Sequence, residues 1–262
     1  MESAHLRANL AKAKIGRGEV AVGTLCTTAS TLMAEALGHA GYDYLIVDLQ
    51  HGENNLGNLQ GMLQAISATP AIPLVRVPGN LPIYIQRTLD LGAYGVVVPL
   101  VDTRADAQAV VASVRYAPVG GRSWGPVRGA MYGGADYFAK SQDELLVIVM
   151  LETEAGMRNA RDILSTPGID GCFIGPNDLS ISLGFSPELT QLPDAVEAGI
   201  ADILSATRET GKVGGIQCFS SETATTRINQ GFRFVSISSD LRMARASATA
   251  ILRTVRPERG TT

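Results

Sequence analysis

The chain has 262 residues, 45% of them hydrophobic, and a mean hydropathy of +0.13, enough apolar side chain for one barrel-sized core or two smaller ones. A formal net charge of −3 and a sequence pI near 5.7 leave no basic footprint for nucleic acid and no polybasic cluster for an anionic membrane. No apolar run approaches the roughly 20 residues of a membrane span, and the polar amphipathic opening MESAHLRANLAKAKIGRGE lacks a signal-peptide core, so a cytoplasmic location is expected.

In chain order, the β-branched runs VAVGTL, YLIVDL, IPLVRV, GVVVPL, LLVIVMLE, GCFIG, KVGGIQC and FRFVSI alternate with amphipathic segments such as STLMAEALGHAG and TRADAQAVVASVRYA. Eight strands are the number that closes a parallel barrel, and uninterrupted apolar runs suit strands covered on both faces. A doubly wound sheet would alternate in the same way, but no G-x-G-x-x-G turn follows the first run. The expectation is therefore an α/β fold, one (β/α)8 TIM barrel domain over residues 1–262. Between Ala117 and Ala139 the rhythm breaks in APVGGRSWGPVRGAMYGGADYFA, which carries the only Trp, Trp124, interleaved with Arg128, Tyr132 and Tyr137. It reads as a long ordered loop over the barrel mouth. Cys26, Cys172 and Cys218 are odd in number and widely spaced, fit neither a disulfide framework nor a zinc pattern, and read as reduced thiols in the core or lining a pocket.

Catalytic groups of such a barrel stand at the C-terminal ends of strands. The second run ends in Asp48, Gln50 and His51, the third in Arg76, the fifth in Glu152, and the sixth leads into GPNDLS with Asp178. Each alone has an ordinary explanation, as a helix cap, a satisfied core histidine or a paired arginine. Together they put a base, a cation and two carboxylates around one mouth. Two carboxylates without a nearby His or Cys ligand suit a hard divalent ion, Mg²⁺ or Mn²⁺ with Co²⁺ as a further candidate, and leave positions for water and substrate oxygens. A 2-oxo acid would chelate that ion through its carboxylate and keto oxygens, and the ion would stabilise the enolate. GPNDLS, with Gly175, Pro176 and Asn177, adds a turn opening a short helix, so the backbone N–H groups around Asn177 and Asp178 could hold the substrate carboxylate. Arg76 would stabilise the same oxyanion, and His51, oriented by Asp48, would move the proton. Imine catalysis is not expected: the only lysines, Lys12, Lys14, Lys140 and Lys212, fall in the leading helix, the loop region and the wrong end of a strand.

The segments DLQHG, RVPGN, LDLGAYGVVVPLV, GRSWGP, MLETEAG and GIDGCFIGPNDLSISLG, in this order, resemble the HpcH/HpaI family of metal-dependent pyruvate aldolases over nearly the whole chain, most specifically from Val22 to Gly184. The resemblance implies a (β/α)8 barrel, a Mg²⁺ or Mn²⁺ site, and reversible cleavage of 4-hydroxy-2-oxo acids to pyruvate or a close analogue plus an aldehyde. It implies metal ligation by Glu152 and Asp178, a His51 and Asp48 dyad, and Arg76 at the enolate oxygen. Asp90 would correspond to an acid near a neighbouring subunit's site, in a homo-oligomer, trimer or hexamer, whose C-terminal helices are exchanged. Gln50 and Leu25 depart from the family pattern, where many relatives have Glu and several have Trp. Leu25, Gln217 and the loop bearing Trp124 and Arg128 would then shape the aldehyde pocket. SDLRMARASATAILRTV, with Leu241, Met243, Ala244, Ala248, Ile251 and Leu252 in its apolar pattern, reads as a helix making a subunit contact. A citrate lyase β-subunit type of enzyme acting on acyl-CoA is the alternative, disfavoured by the DLQHG histidine and by the lack of a basic cluster for the CoA phosphates. A non-catalytic barrel would be expected to lose a metal carboxylate or the base, and Glu152, Asp178, His51 and Arg76 are all present.

Overall fold

The computed structural model describes residues 7–187 and 191–256, so the first six residues of the opening segment lie outside the described ones. Eight parallel strands, β1 (Ala21–Cys26), β2 (Tyr44–Asp48), β3 (Ile72–Arg76), β4 (Gly95–Val98), β5 (Leu146–Met150), β6 (Gly171–Ile174), β7 (Val213–Cys218) and β8 (Phe234–Ser239), pair in sequence order and close between β8 and β1. The helices are α1 (Leu10–Gly16), α2 (Thr31–His39), α3 (Leu59–Ser67), α4 (Pro82–Asp90), α5 (Arg104–Val114), α6 (Val127–Gly133), α7 (Tyr137–Glu144), α8 (Glu154–Arg158), α9 (Ala160–Leu164), α10 (Pro176–Ser182), α11 (Asp194–Thr210), α12 (Ser221–Gln230) and α13 (Asp240–Val255). The expected eight-strand barrel is the fold. Among the described residues no helix is long and apolar enough to cross a membrane.

The strand period of two sorts the core into two layers. Tyr44, Ile46, Ile72, Leu74, Leu146, Ile148, Met150, Phe173 and Phe234 fill the barrel interior, while Leu45, Val47, Val75, Val147, Val149, Cys172 and Val235 pack against the helices. Tyr44 stacks on Phe234 at 4.2 Å, and a Cβ on Gly23 would come within 2.2 Å of the Tyr44 ring, so β1 carries glycine where that ring lies. Continuing each inward alternation to the C-terminal end turns Leu25, Asp48, Arg76, Glu152, Gly175, Gln217 and Ser238 toward the mouth. The pattern that builds the core thus also aims the polar residues. All three cysteines are free and buried, and burial raises the Cys172 thiol to about 12.

The segment after α5 corrects one expectation. It is ordered, with α6, α7 and an aromatic cluster in which Tyr116 lies 5.4 Å from Trp124 and 5.2 Å from Phe138, but it is not over the mouth. Because α5 carries the chain back to the start of the strands and β5 begins there, the connection between them lies at the N-terminal end. α13 stands apart: it meets β1, β8 and α2, only its first residue Asp240 is buried, and Leu241, Ile251, Leu252 and Val255 are exposed.

Candidate active site

Asp48 and Arg76 are register partners on β2 and β3, and this adjacency decides their contact. Arg76 donates from Nε to Asp48 Oδ1 at 2.9 Å and from Nη2 to Oδ2 at 2.6 Å, a two-point pair in which the Asp48 side chain is fully buried. Asp48 Oδ1 also accepts the backbone N–H of Gln50 at 3.0 Å and of His51 at 3.4 Å. The expected contact between the Asp48 carboxylate and the His51 imidazole is therefore corrected. Asp48 fixes the histidine's backbone, and its charge goes to the guanidinium across the ladder. His51 is exposed at the mouth, and its ring has no hydrogen bond among the described residues.

The turn that carries His51 is braced from β1. Glu53 N–H donates to Thr27 O at 2.8 Å, and Asn54 Nδ2 donates to Cys26 O at 2.9 Å. Asp240 in turn accepts from the N–H and hydroxyl of both Thr27 and Thr28, at 2.6 to 3.0 Å. Burial alone would raise the Asp240 carboxyl, but these donors outweigh it and hold the group below its ordinary range. Sequence reasoning missed Asp240; its signal was an acid directly after the eighth strand, the same placement that singled out the others.

Glu152 is 3% exposed. Its Oε1 accepts the N–H of Leu100 at 3.0 Å, and Leu100 takes a left-handed φ of 54° to offer it. Leu100 was also missed, and an ordinary leucine gives no sequence signal for that conformation. The other oxygen, Oε2, lies 2.9 Å from where a Cβ on Gly175 would be, and Asp178 Oδ2 lies 3.4 Å from the same point. Two carboxylates thus converge on a space that glycine keeps open. Burial raises Glu152 from an ordinary 4.5 to about 7, the Leu100 N–H opposes this, and the Asp178 charge adds to it.

Such a carboxylate pair fits a hard cation. Among the described residues no group of three or more His, Cys, Asp or Glu could hold a metal, so two carboxylates are what the chain offers and the remaining positions fall to water and substrate. Around them, Gln50 Oε1, Asn177 Oδ1 and Gln217 Oε1 are buried acceptors without a partner among the described residues. Leu25 is buried in the same interior layer.

One residue expected in this pocket is not here. Arg128 donates from Nη1 to Leu91 O at 2.5 Å and lies 4.2 Å over the Tyr132 ring, at the opposite end of the barrel. Its assignment to this chain's substrate pocket is corrected for the same topological reason as the loop that bears it. Asp90, at the end of α4, accepts from Arg122 Nη2 at 2.8 Å and is likewise remote from its own mouth. All four lysines also lie away from the mouth: Lys12 pairs with Asp170, Lys14 with Asp43 and Lys140 with Asp136, and Lys212 donates to Ile169 O.

The family model described as HpcH/HpaI aldolase/citrate lyase matches residues 23–246. The chain belongs to this family. Divalent-metal use is a property of HpcH/HpaI proteins, in keeping with the carboxylate pair. This HpcH/HpaI chain is 39% identical over 85% of its length to a hydroxypyruvate/pyruvate aldolase of Rhizorhabdus wittichii, covering 88% of that protein. It is 36% identical over 91% of its length to a 5-keto-4-deoxy-D-glucarate aldolase of Klebsiella pneumoniae, covering 93% of it. Among solved structures, an HpcH/HpaI aldolase/citrate lyase family protein from Burkholderia cenocepacia superposes with a TM-score of 0.89 at 31% identity, over 95% of this chain and 99% of that one.

Proposed function

We propose that this HpcH/HpaI protein is a cytoplasmic, divalent-metal-dependent aldolase that reversibly cleaves 4-hydroxy-2-oxo acids to pyruvate, or a close 2-oxo acid, and an aldehyde. The observation that carries this reading is the convergence of Glu152 Oε2 and Asp178 Oδ2 beside Gly175, one strand-end layer with the Asp48 and Arg76 pair. Glu152 and Asp178 would hold Mg²⁺, Mn²⁺ or Co²⁺, which supplies Lewis-acid stabilisation of negative charge on a 2-oxo acid's oxygens.

The rest follows from the chain's own groups. The turn of Gly175, Pro176 and Asn177 seats the carboxylate end of the 2-oxo acid, whose oxygens accept from the backbone N–H groups around Asn177 and Asp178. Arg76 has its Nε and Nη2 spent on Asp48, which leaves Nη1 to donate to the keto oxygen as charge develops on it. The guanidinium is held rigidly because the pair is two-point and buried. His51 removes the proton of the C4 hydroxyl as the C3–C4 bond breaks, and a proton is later returned to C3. Leu25, Gln50 and Gln217 form the wall facing the aldehyde half. Asp90 serves a neighbouring subunit, in a trimer or hexamer that uses the exposed apolar face of α13 as a contact.

The test is a panel of aldehydes with pyruvate and Mn²⁺, adducts being read by mass spectrometry. Adducts are expected with metal, their loss in excess EDTA, and recovery on adding Mg²⁺, Mn²⁺ or Co²⁺. Full turnover by a protein shown metal-free by elemental analysis overturns the reading.

A further inference from the structure

Gln217 is 7% exposed and, by the alternation of β7, points into the barrel mouth. Its Nε2 donates to two backbone carbonyls, Cys218 O at 2.9 Å and Ser238 O at 3.1 Å. Only the amide nitrogen can donate, so these two acceptors fix which way the group faces. Ser238 holds a left-handed φ of 60°, unusual for a residue with a side chain, at the point where its carbonyl meets Gln217. The amide is thereby locked with Oε1 turned away from both carbonyls. Oε1 is buried and has no donor among the described residues. An unpaired acceptor held this firmly favours any ligand that brings an O–H to it.

A groove of about 410 Å³ leads outward from Gln217 between α11 and α12, past Pro176, Gln191, Phe219, Glu222 and Thr223. Its one lining cation, Arg227, is consumed by Glu197 through two bonds of 2.7 Å. Arg242 lies 4.8 Å over the Phe219 ring but does not line the groove. With Glu222 carrying charge there, a carboxylate tail meets one like charge and, among the described residues that line the groove, no cation without a carboxylate partner.

We infer that Gln217 Oε1 accepts a hydrogen bond from a hydroxyl of the aldehyde half of the substrate, so that the enzyme selects uncharged hydroxyaldehydes over alkyl and anionic aldehydes. This rests on the aldolase reading above and adds a substrate class to it. A site built around a hydroxyl rejects the isostere lacking it, because the buried acceptor is then left unpaired.

The experiment compares glycolaldehyde, propanal and glyoxylate as partners of pyruvate, with kcat/KM referred to the unhydrated aldehyde, in the wild type and in Gln217→Met. Glycolaldehyde and propanal have the same number of heavy atoms and differ by the hydroxyl. The wild type is expected to favour glycolaldehyde over propanal by about 10- to 100-fold, with glyoxylate below glycolaldehyde, and Gln217→Met to bring the first ratio close to one. The ratio of ratios cancels any difference in aldehyde hydration. A wild-type ratio near one, or a ratio that survives in Gln217→Met, overturns the hydroxyl contact and leaves Oε1 to a resident water. A preference for glyoxylate overturns the charge argument. The wild-type ratios stand without the variant, should Gln217→Met not fold. Absence of any adduct with any aldehyde overturns the aldolase reading and this inference with it, whereas adducts with the wrong ratios overturn this inference alone.

Discussion

At the N-terminal end of the barrel Lys12 meets Asp170 at 3.2 Å, Lys14 meets Asp43 at 2.9 Å and Arg122 meets Asp90 at 2.8 Å, so each of these carboxylates has a cation of the chain beside it. At the C-terminal mouth Glu152 and Asp178 face one another across Gly175 with no ion pair among the described residues, and the amide oxygens of Gln50, Asn54, Asn80, Asn177 and Gln217 lack donors there. Both ends are made of the same strands, whose inward residues are aliphatic or aromatic between them. The difference is where carboxylates have been left without a cation. Carboxylates paired with cations of the chain contribute stability, and carboxylates left without one are prepared for a cation from outside.

The Asp48 and Arg76 pair is the exception at the mouth, and it offers the strongest way to break the contrast. Arg76→Ala leaves a fully buried carboxylate without its cation, a loss expected to cost about 3–5 kcal/mol of stability. Replacing both partners, Asp48→Leu with Arg76→Met, should recover most of the stability, since a buried pair is often no more stable than an apolar one of similar volume. Turnover should return in neither variant. Urea unfolding curves and aldol cleavage rates on the same preparations check both halves, and a double variant that regains activity would make the pair merely structural.

A somewhat smaller effect separates proton movement from metal binding. His51→Ala removes a ring that bonds to no other described residue, so stability and Mn²⁺ binding by calorimetry should barely change. Aldol cleavage should fall by roughly 10²-fold or more, the usual scale for a lost general base. Cleavage at the wild-type rate would mean that another group moves the proton.

How much of this was legible beforehand follows from what each feature depends on. The barrel, and the strand-end positions of Asp48, Arg76, Glu152 and Asp178, could be read because they follow from local apolar runs and a fixed period. The partner of Asp48 could not, because it depends on the register between two strands, which brings Arg76 level with it while His51 is nearer in sequence. Leu100 and Ser238 were invisible because left-handed backbone is signalled by glycine, and neither is one. The N-terminal placement of Arg128 and Trp124 was legible too: a segment that follows a helix and precedes a strand belongs to that end, and the order of TRADAQAVVASVRYA and LLVIVMLE implies it.

The mouth's unmet demand should also appear as a dependence on pH. Glu152 is raised from 4.5 to about 7 chiefly by burial, so between those values the folded protein holds a proton that the unfolded chain has lost. Stability of the metal-free protein should therefore fall as pH rises from 4.5 to about 7 and stay level above, by on the order of 2 kcal/mol after allowance for remaining solvent. Saturating Mg²⁺ or Mn²⁺ should remove the fall at its upper end, because an ion replaces the proton there. Glu152→Gln should remove it without metal. Melting curves of the apoprotein that are flat from pH 5 to 7.5 would contradict the assigned burial effect.

The smallest expected effect tests the opposite end. Lys12 and Asp170 are each about a quarter exposed, and their pair lies at the N-terminal opening of the barrel, beside Leu146 and Val213. Lys12→Met keeps the aliphatic stem over those residues and removes the charge, so the loss should be under about 1 kcal/mol, the range of solvent-screened pairs. Asp170 would not be stranded, since its Oδ2 still accepts the N–H of Val147 at 2.7 Å. Neither kcat nor metal affinity should move, because the mouth groups depend on strand register and not on this contact. Thermal melting in low and high salt, with steady-state kinetics alongside, reads both quantities. A fall in kcat beyond twofold with stability unchanged would show that the ends communicate, and would remove the division of labour drawn between them.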